Sequence, residues 1–169
     1  MSVAEKFLML DELKRALTYN ESTGIFTWNI TVGRASAGSR AGCPSAPGRY
    51  RQIRLSRRQY LEHRLAWFYI YGKWPSVAID HINGDKSDNR LANLREATLS
   101  ENQHNRGCPI TNTSGFKGVS WCRRTKLWHA AIKVSRRSIN LGYFDRPEDA
   151  AKTYEAAALK YHGEFARMA

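Results

Sequence analysis

Apolar residues in the first half of the chain recur at short intervals that switch between helical and strand periods. Leucines three or four positions apart, separated by charged residues, predict a helix near the N-terminus. Alternation of apolar and polar residues predicts short strands, and a stretch rich in glycine, serine, alanine and proline is typical of a loop. The predicted elements are a helix over 8–17, a strand over 25–28, a loop over 33–49, a strand over 50–55 and a helix over 60–71.

The middle of the chain predicts a strand, a loop, a second strand and a helix in close succession. The first strand, over 77–81, is apolar until it ends in two polar residues, Asp80 and His81. A turn-rich loop follows, and the second strand is expected over 93–98. Ser100 is placed to cap the helix that comes next.

After a turn-rich linker over 107–115, the pattern changes to three strands and one long helix. Apolar and polar side chains alternate in the strands, which indicates a sheet with one covered face. Asp145 and Glu148 have the spacing of a capping box, and Gly163 is a typical residue at a helix end. The predicted elements are strands over 117–121, 128–134 and 138–144 and an alanine-rich helix over 145–161.

Composition adds a large excess of positive charge to this picture. The chain has 169 residues, with 27 Lys and Arg against 15 Asp and Glu, a net charge of +12 and a pI of about 10.0. Such an excess repels itself and therefore favours a polyanionic partner. An apolar content of 42% excludes wholesale disorder. No apolar run approaches the roughly 20 residues of a membrane-spanning helix, and three cysteines without a CxxC pair indicate neither a disulfide framework nor a structural zinc site.

Two basic stretches stand out. Residues 49–64 hold six arginines and one acid, Glu62, which fits either a solvated face or contact with phosphates, and the density of arginine favours phosphates. Residues 116–144 hold seven lysines and arginines and no acid. In the first stretch, the arginines expected to contact DNA are Arg49, Arg51, Arg54, Arg57 and Arg58.

Candidate chemistry lies where the strand over 77–81 ends. Asp80 and His81 are adjacent, Asn93 follows His81 by twelve positions, and Asn102 follows it by twenty-one. A carboxylate, an imidazole and a second oxygen ligand are the groups that metal-assisted phosphodiester cleavage requires. From spacing alone, a polar loop edge is the more common explanation of an Asp-His pair.

The motifs around these residues resemble the HNH nuclease family, in the branch found in phage and group I intron homing endonucleases. The matching motifs are Asp80-His81-Ile-Asn-Gly-Asp, Asn89 followed by Asn93-Leu-Arg, Ser100-Glu-Asn102 and, upstream, His63-Arg-Leu65 with Trp67. The resemblance covers residues 8–106 and implies a ββα-metal finger over about 76–106. It implies that His81 is the general base and that Asn93 fixes the loop after it. It also implies that Asp80 and Asn102 bind the metal.

The resemblance implies one divalent cation per finger. Asn102 at the third motif position suits Mg²⁺ or Mn²⁺ better than Zn²⁺, because an amide oxygen is a hard ligand. His104 is the alternative ligand, although a helix would turn it to another face. His63 is expected to be a buried, hydrogen-bonded packing residue, and approach to the scissile phosphate is its alternative role. Asp85 and Asp88 are expected to belong to a solvated loop.

Residues 113 to about 166 resemble the plant ethylene-response-factor (apetala-type) DNA-binding domain, which also occurs fused to HNH homing endonucleases. The matching motifs are Ser114-Gly-Phe-Lys-Gly-Val-Ser-Trp121, Lys126-Leu-Trp128-His-Ala-Ala-Ile132, Leu141-Gly-Tyr-Phe144 and Glu148-Asp-Ala-Ala151. The resemblance implies a three-stranded antiparallel sheet on one helix, with the outer face of the sheet in the major groove. Alternation assigns to that face Lys117, Ser120, Cys122, His129, Ala131, Lys133, Ser138 and Asn140. The turns should grip phosphates through Arg123, Arg124, Lys126, Arg136 and Arg137.

This chain departs from the plant domain on the outer face of the sheet. Ser120, Ser138 and Asn140 stand where the plant domain has outward Arg and Trp residues, which indicates fewer arginine–guanine contacts and a different target sequence. Trp121 and Trp128 are expected to pack in the core rather than to stack on bases.

The sequence therefore predicts an α+β protein with an HNH nuclease domain over 1–106, a linker over 107–115 and an apetala-type domain over 116–169. The leading hypothesis is a metal-dependent, site-specific endonuclease of homing type that cleaves or nicks double-stranded DNA. The alternative is a sequence-specific DNA-binding regulator with an inactive nuclease domain. An RNA-binding protein is a third possibility, but no aromatic ribonucleoprotein motif supports it.

The expected setting is intracellular, in a phage-infected bacterium or a similar host, because the N-terminus lacks the regions of a signal peptide. The expected partner is DNA, with no membrane and no small-molecule cofactor. A monomer is favoured, with the oligomeric state left open, and a monomer with a single finger would most simply nick one strand.

Overall fold

The computed structural model describes residues 5–46, 48–109 and 111–167. The chain divides into two compact units, residues 1–98 and 99–169. Across the described residues the protein is a mixed α/β structure with several small antiparallel sheets, in line with the class predicted from sequence. None of the helices in this part of the chain is long and apolar enough to cross a membrane.

The first unit combines two helices with short strands. Its elements, in chain order, are α1 (Leu10–Ala16), β1 (Leu17–Asn20), β2 (Ile25–Trp28), β3 (Cys43–Pro44), β4 (Arg51–Leu55), β5 (Arg58–Leu61), α2 (Glu62–Tyr71), β6 (Ala78–His81) and β7 (Leu94–Ala97). All strand pairs are antiparallel: β1 with β2, β3 with β4, β4 with β5, and β6 with β7.

Three helix boundaries in this unit differ from the sequence prediction: α1 begins two residues later than predicted, at Leu10, and strand pairing accounts for the other two. The helix predicted over 8–17 loses its last residue because Leu17 pairs with Trp28 in the β1–β2 ladder. The second helix begins two residues later than predicted, since Tyr60 pairs with Ile53 across β4 and β5. In both places a strand partner outside the local window overrides the helical period of the sequence.

The core of the first unit joins both helices to the strands. Leu13, Phe26, Ile53 and Leu65 are completely buried in one cluster. Burial of each such side chain contributes about 1.5–3 kcal/mol relative to exposure. This cluster therefore holds α1, α2 and the sheets in fixed positions behind the loop that follows β6.

The β1–β2 hairpin approaches that loop at Gly24. The backbone of Gly24 is left-handed, with φ of +70°, and a Cβ there would lie 2.3 Å from the nitrogen of Arg90 and 2.4 Å from the carbonyl carbon of Asn89. The side chain of Asn20 closes the turn by accepting a hydrogen bond from the Ser22 backbone at 3.1 Å. Only glycine fits this backbone conformation and this short distance to Asn89 and Arg90. The hairpin therefore packs directly against the loop.

The second unit contains a short helix, a three-stranded antiparallel sheet and a long helix. The strand order in the sheet is β10-β9-β8. These strands lie within two residues of the three strands predicted. The elements are α3 (Leu99–His104), β8 (Val119–Cys122), β9 (Leu127–Val134), β10 (Arg137–Phe144) and α4 (Pro147–His162).

Both predicted helix caps are wrong. Ser100 lies inside α3, which begins one residue earlier at Leu99. In α4, the N-cap position belongs to Arg146, which makes no side-chain cap, and not to Asp145. Proline is favoured at the first position of a helix because its φ is already helical. Pro147 therefore starts the helix one residue later than the capping-box spacing implied.

Alternation along β9 places side chains on the two faces as predicted. Ala130 and Ile132 are buried against α4, whereas Lys133 is exposed. The helix approaches the sheet closely: a Cβ on Gly118 would lie 2.1 Å from the ring of Tyr154. Small residues on both elements permit this distance.

Trp121 is not a core residue, and the prediction of core packing is wrong for this side chain. It lies on β8, an edge strand with a neighbour on one side only, and 44% of its surface is exposed. Its ring meets Trp128 edge to face, with centroids 5.0 Å apart. Trp128 is half-buried and packs against the sheet–helix cluster.

Candidate active site

Strand β6 ends in Asp80 and His81, and both side chains are buried, with 4% and 3% exposure. The register of β6 with β7 sets Arg95 opposite Asp80. Arg95 donates from Nε and Nη2 to Oδ2 of Asp80, at 3.0 and 2.9 Å. A buried carboxylate requires such a partner to remain ionised. The ladder therefore holds an oriented carboxylate at the start of the loop.

The ring of His81 is fixed by Asn89. Nε2 of His81 lies 3.0 Å from Oδ1 of Asn89. Because an amide oxygen only accepts, Nε2 holds the proton of the neutral ring and the basic lone pair is on Nδ1. Burial lowers the pKa of His81, while Asn89 and Asp80 act in the opposite direction. The site therefore favours a neutral imidazole in one tautomer, which is the form of a proton acceptor.

Asn89 is oriented by its own surroundings. It is 1% exposed, and its backbone carbonyl accepts a hydrogen bond from the Tyr19 hydroxyl at 2.7 Å. Its Nδ2 and the buried Oε1 of Glu62 have no hydrogen-bond partner within the described part of the chain. Burial raises the pKa of Glu62, and Arg51 and the Asn89 amide lower it in part. An amide nitrogen turned towards this carboxylate leaves the amide oxygen for His81.

Asn93 closes the loop between β6 and β7. Its Oδ1 accepts from the backbone nitrogen of Asn83 at 2.9 Å, and its Nδ2 donates to the carbonyl of Asp88 at 2.8 Å. Its own carbonyl accepts from the nitrogen of Ile82 at 2.9 Å. These bonds tie both ends of the loop together, so Asn93 lies where a loop-fixing residue would.

The other carboxylates of the loop are satisfied inside it. Asp85 accepts from the backbone nitrogen and hydroxyl of Ser87 at 2.8 and 2.7 Å. Asp88 pairs with Arg90 at 2.6 and 2.8 Å, and this pairing is the main cause that lowers the pKa of Asp88 to about 2. These contacts agree with the expectation of a solvated loop rather than a metal site.

Tyr50 and His63 surround the ring of His81. His63 lies edge-on to His81 with centroids 5.1 Å apart, and Tyr50 lies 4.9 Å from His63 and 5.7 Å from His81. His63 is 4% exposed, but its Nδ1 has no hydrogen-bond partner among the described residues. Burial, together with His81 and Arg64, lowers the pKa of His63 to about 3. His63 is therefore buried as predicted, but no hydrogen bond to its Nδ1 is present among the described residues.

We expect the first unit to lose stability as the pH falls below about 6.5, because His63 is buried as a neutral ring. Its pKa is about 3 in the folded protein and 6.5 in an unperturbed chain. Because the pKa of His63 is lower in the folded protein, neutral His63 makes its full contribution to the free energy of unfolding above the unfolded pKa. That contribution is lost as the pH falls towards the folded pKa. The slope for one such group approaches about 1.4 kcal/mol per pH unit. Urea unfolding at a series of pH values measures it.

The matched variant for this measurement is His63→Leu, which keeps an apolar side chain among Tyr50, Arg64 and His81 but cannot bind a proton. Its unfolding free energy should fall less steeply than that of the wild type between about pH 7 and about pH 5. Any constant offset above pH 7 reports changed packing instead. Equal slopes in the two proteins would contradict the assignment.

The arginines of residues 49–64 divide between the interior and the surface. Arg51 turns inward: Nε donates to Oε2 of Glu62 and Nη2 to the carbonyl of Gly42, both at 2.8 Å. The guanidinium of Arg58 lies 4.0 Å from the centroid of the Phe7 ring. Arg51 is therefore not available for the phosphate contact predicted for it. Exposed arginines in this stretch are Arg49, Arg54 and Arg57.

In the second unit, most of the predicted DNA contacts lie on the surface. Nε2 of His129 lies 3.1 Å from Oδ1 of Asn140 across β9 and β10. Lys117 differs, because β8 begins two residues after it. It is half-buried, and its Nζ donates to the carbonyl of His104, so its assignment to the outer face is wrong. Exposed candidates are Ser120, Arg123, Arg124, Lys126, Lys133, Arg136, Arg137, Ser138 and Asn140.

Asn102 and His104 both lie on α3, in the second unit. The ring of His104 stacks on His162, with centroids 3.6 Å apart. In the described residues, no group of three or more His, Cys, Asp and Glu side chains could hold a metal ion. The carboxylate of Asp80 and an amide oxygen are hard donors. They fit Mg²⁺ or Mn²⁺, which keep several waters, better than they fit the nitrogen and sulfur site of zinc.

Sequence reasoning assigned no role to three residues that shape the site, Asn89, Arg95 and Tyr50, although Asn89 and Arg95 belong to the HNH-like motif. A signal existed for Arg95, since two antiparallel strands joined by the loop would pair it near Asp80 once a register is assumed. Asn89 and Tyr50 contact His81 only because of how the chain folds in three dimensions. Residue spacing does not predict such contacts.

Comparisons with known proteins find an HNH endonuclease domain in this part of the chain. Residues 60–104 match the family described as HNH endonuclease. The chain is 33% identical over 120 residues to protein 3.8 of Escherichia phage T7, covering 70% of this chain and 96% of that protein. It is 36% identical over 55 residues to APETALA2-like protein 2 of Oryza sativa subsp. indica, covering 32% of this chain and 13% of the plant protein. An AP2-like ethylene-responsive transcription factor of Arabidopsis thaliana matches at 36% over 55 residues, 11% of its length. No solved structure matches the chain.

Proposed function

Since the chain belongs to the family of protein 3.8 of Escherichia phage T7 and has an HNH endonuclease domain at residues 60–104, we propose that it is a metal-dependent DNA endonuclease of homing type. The observation that supports this most directly is the buried Asp80–His81 pair, with His81 held in one tautomer by Asn89. If the Asp80–His81 pair were missing, the match to the HNH family would instead favour a DNA-binding protein with an inactive nuclease domain.

In this proposal His81 is the general base. Nδ1 of the neutral ring takes a proton from the water that attacks phosphorus as the bond to the 3′ oxygen breaks. Asn89 keeps the proton of the resting ring on Nε2, and Asn93 holds the loop in place. Arg95 orients the carboxylate of Asp80.

The proposed ligands of one divalent cation are Asp80 and, from the resemblance to the HNH family, Asn102. When bound, Mg²⁺ or Mn²⁺ would neutralise the scissile phosphate and stabilise the leaving oxygen. His104 stacks on His162 and is not included in the ligand set that we propose.

Double-stranded DNA would be held by basic surface on both units. In the first unit we propose phosphate contacts from the exposed arginines Arg49, Arg54 and Arg57. In the second unit the outer face of the sheet would read the major groove and its turns would hold phosphates. The proposed residues there are Ser120, Arg123, Arg124, Lys126, His129, Lys133, Arg136, Arg137, Ser138 and Asn140.

A cleavage assay on supercoiled plasmid and on phage genomic DNA tests the function. With Mg²⁺ or Mn²⁺ the protein should nick or cut DNA, and with EDTA it should not. Asp80→Asn should reduce the rate by about 100-fold, because several kcal/mol of charge stabilisation correspond to that factor. Asp85→Asn, the same change in the solvated part of the loop, should retain the wild-type rate.

Two results would contradict the proposal. Cleavage that persists in EDTA would exclude metal dependence. DNA binding without cleavage of any substrate under any divalent cation would favour the alternative, a DNA-binding regulator with an inactive nuclease domain.

A further inference from the structure

Strand β10 contains a bulge at Leu141. Between Asn140 and Gly142 the register of β10 with β9 shifts by one residue, so Leu141 has no partner of its own on β9. Gly142 has a φ of +130°, which residues with a side chain rarely adopt. At this bulge the backbone nitrogen of Gly142 donates a hydrogen bond to Oδ1 of Asn140 at 3.0 Å.

The Gly142 hydrogen bond determines which way the Asn140 amide faces. A backbone N–H only donates, so the side-chain atom that it meets must be the oxygen of the amide. Nε2 of His129 lies 3.1 Å from the same oxygen, and it must therefore donate its hydrogen there. Two hydrogen bonds occupy both lone pairs of Oδ1, so the groups that Asn140 can still offer are the two hydrogens on Nδ2.

The ring of His129 is held in this position by Tyr143. The two residues face each other across β9 and β10, and their rings stack with centroids 4.8 Å apart and planes 26° apart. His129 is half-buried, whereas Tyr143 is exposed. A stacked partner and a hydrogen bond together limit rotation of the imidazole. The Asn140 oxygen is therefore already occupied in the free protein.

These side chains lie on the outer face of the sheet. Alternation along β9 places His129 on the face opposite to Ala130, which is buried in the cluster with α4. Asn140 and Tyr143 are exposed on the neighbouring strand β10. This is the face assigned above to the major groove, so the free hydrogens of Asn140 would meet the edges of bases rather than phosphates.

An asparagine in the major groove ordinarily reads adenine. Its oxygen accepts a hydrogen bond from N6 of the base while its nitrogen donates to N7. In Asn140 the oxygen is already occupied, so the N6 amino group of adenine would meet an amide that can only donate. Guanine presents two acceptors, N7 and O6, at the same edge. These acceptors match the two hydrogens on Nδ2.

We propose that Asn140 is a specificity-determining residue that reads guanine in the major groove and rejects adenine, because His129 and Gly142 occupy its amide oxygen. The inference rests on the proposed function for the placement of the sheet in the major groove, and it does not depend on cleavage. Its scale is that of a good base contact, which discriminates by about 10-fold or more against the wrong base.

The test selects binding sites from a pool of random DNA duplexes with the full-length protein, in EDTA so that metal-dependent cleavage does not remove bound DNA. The base read by Asn140 is the one at which Asn140→Ala flattens the selected preference. At that position the wild type should favour guanine over adenine by about 10-fold or more. A preference for any other base there would overturn the proposal, as would selected sequences that Asn140→Ala leaves unchanged.

The variant His129→Phe tests the role of the occupied oxygen. Phenylalanine keeps a ring beside Tyr143 but has no hydrogen to donate, so one lone pair of Asn140 becomes available to N6 of adenine. The preference for guanine over adenine should fall by about tenfold. His162→Phe, the same change on α4, should leave the preference unchanged, and melting temperatures report the fold of both variants. An unchanged preference in folded His129→Phe would contradict the blocked oxygen that the proposal requires.

Analogues of guanine at the selected position identify the atoms that are read. The analogue 7-deazaguanine lacks the N7 acceptor and should weaken binding by about tenfold. Hypoxanthine lacks only the amino group in the minor groove and should bind as guanine does. Weaker binding to hypoxanthine alone would place the contact in the minor groove and overturn the proposal. A protein that selects this guanine but cuts no DNA in Mg²⁺ would contradict the proposed nuclease activity and leave the guanine contact standing.

Discussion

Replacement of His81 by alanine should abolish detectable DNA cleavage while DNA binding persists. A positioned general base contributes about 10²–10⁴-fold to the rate of such a reaction. The ring is 3% exposed, it is held by Asn89 at 3.0 Å, and it stands next to the proposed metal ligand Asp80. The measurement is the single-turnover rate of plasmid nicking by wild type and His81→Ala at saturating protein, with binding followed separately by gel shift.

Loss of the base must be distinguished from loss of the fold. The melting temperature of His81→Ala reports the fold, and imidazole added to the buffer reports the base. The variant leaves a space beside Tyr50 and His63 that a free imidazole can enter, so partial recovery of cleavage is expected. Wild-type cleavage by His81→Ala would remove His81 from the mechanism.

The tautomer can be tested with a second variant, Asn89→Leu. Leucine has a similar volume but no acceptor for the proton on Nε2 of His81, so the ring would lose its orientation. A loss of partners that orient a functional imidazole typically costs about 10–100-fold. We therefore expect Asn89→Leu to cleave more slowly than wild type but faster than His81→Ala.

The sequence predicted the parts of the site that lie in contiguous motifs. Asp80, His81 and Asn93 fall where the motifs placed them, at a strand end and at the close of the following loop. Alternation in β9 correctly assigned Ala130 and Ile132 to the covered face, because period two is a local property of a strand.

Contacts that depend on the path of the chain were beyond the sequence. Asn89 contacts His81, and the β1–β2 hairpin approaches the backbone of Asn89 and Arg90 at Gly24; residue spacing predicts neither contact. Trp121 is exposed because β8 is an edge strand, and strand order is a tertiary property. The alternating pattern predicted that Lys117 lies in a strand, yet β8 begins two residues later. The ammonium of Lys117 instead donates to the backbone carbonyl of His104.

Charge gave the most misleading signal, because an arginine in a basic stretch has the same letter whether it faces solvent or a buried acid. Arg51 and Arg54 lie on the same strand, β4, and both were expected to contact phosphate. Only the fold shows that Arg51 meets Glu62, which is completely buried, while Arg54 is exposed. This difference gives a sharp experiment.

Arg51→Met should destabilise the protein by about 3–5 kcal/mol, since it leaves a buried carboxylate without its partner. Burial already raises the pKa of Glu62, and removal of Arg51 should raise it further. The folded state then favours the protonated acid, so the deficit should be smallest near the unfolded pKa of about 4.5 and should grow as the pH rises above it. Urea unfolding at about pH 5 and about pH 7 measures this difference.

Arg54→Met is the matched control, with the same substitution at an exposed position of the same strand. Its unfolding free energy should stay within about 0.5 kcal/mol of wild type. In DNA binding the order of the two effects should be reversed: Arg54→Met should weaken the contact with phosphate, and Arg51→Met should not. Arg54→Met should reduce the slope of log affinity against log salt by about 0.9, the value for one phosphate contact, and Arg51→Met should leave that slope unchanged in protein that remains folded.

The double variant Arg51→Met/Glu62→Leu separates the lost ion pair from the uncompensated charge. Removing both partners takes the buried charge away, and well-packed apolar replacements of buried ion pairs are often neutral or stabilising. The double variant should therefore recover most of the stability lost in Arg51→Met. Any remaining difference in unfolding free energy from wild type should no longer grow as the pH rises. If the double variant were as unstable as Arg51→Met, packing of the arginine side chain, rather than a stranded carboxylate, would explain the loss.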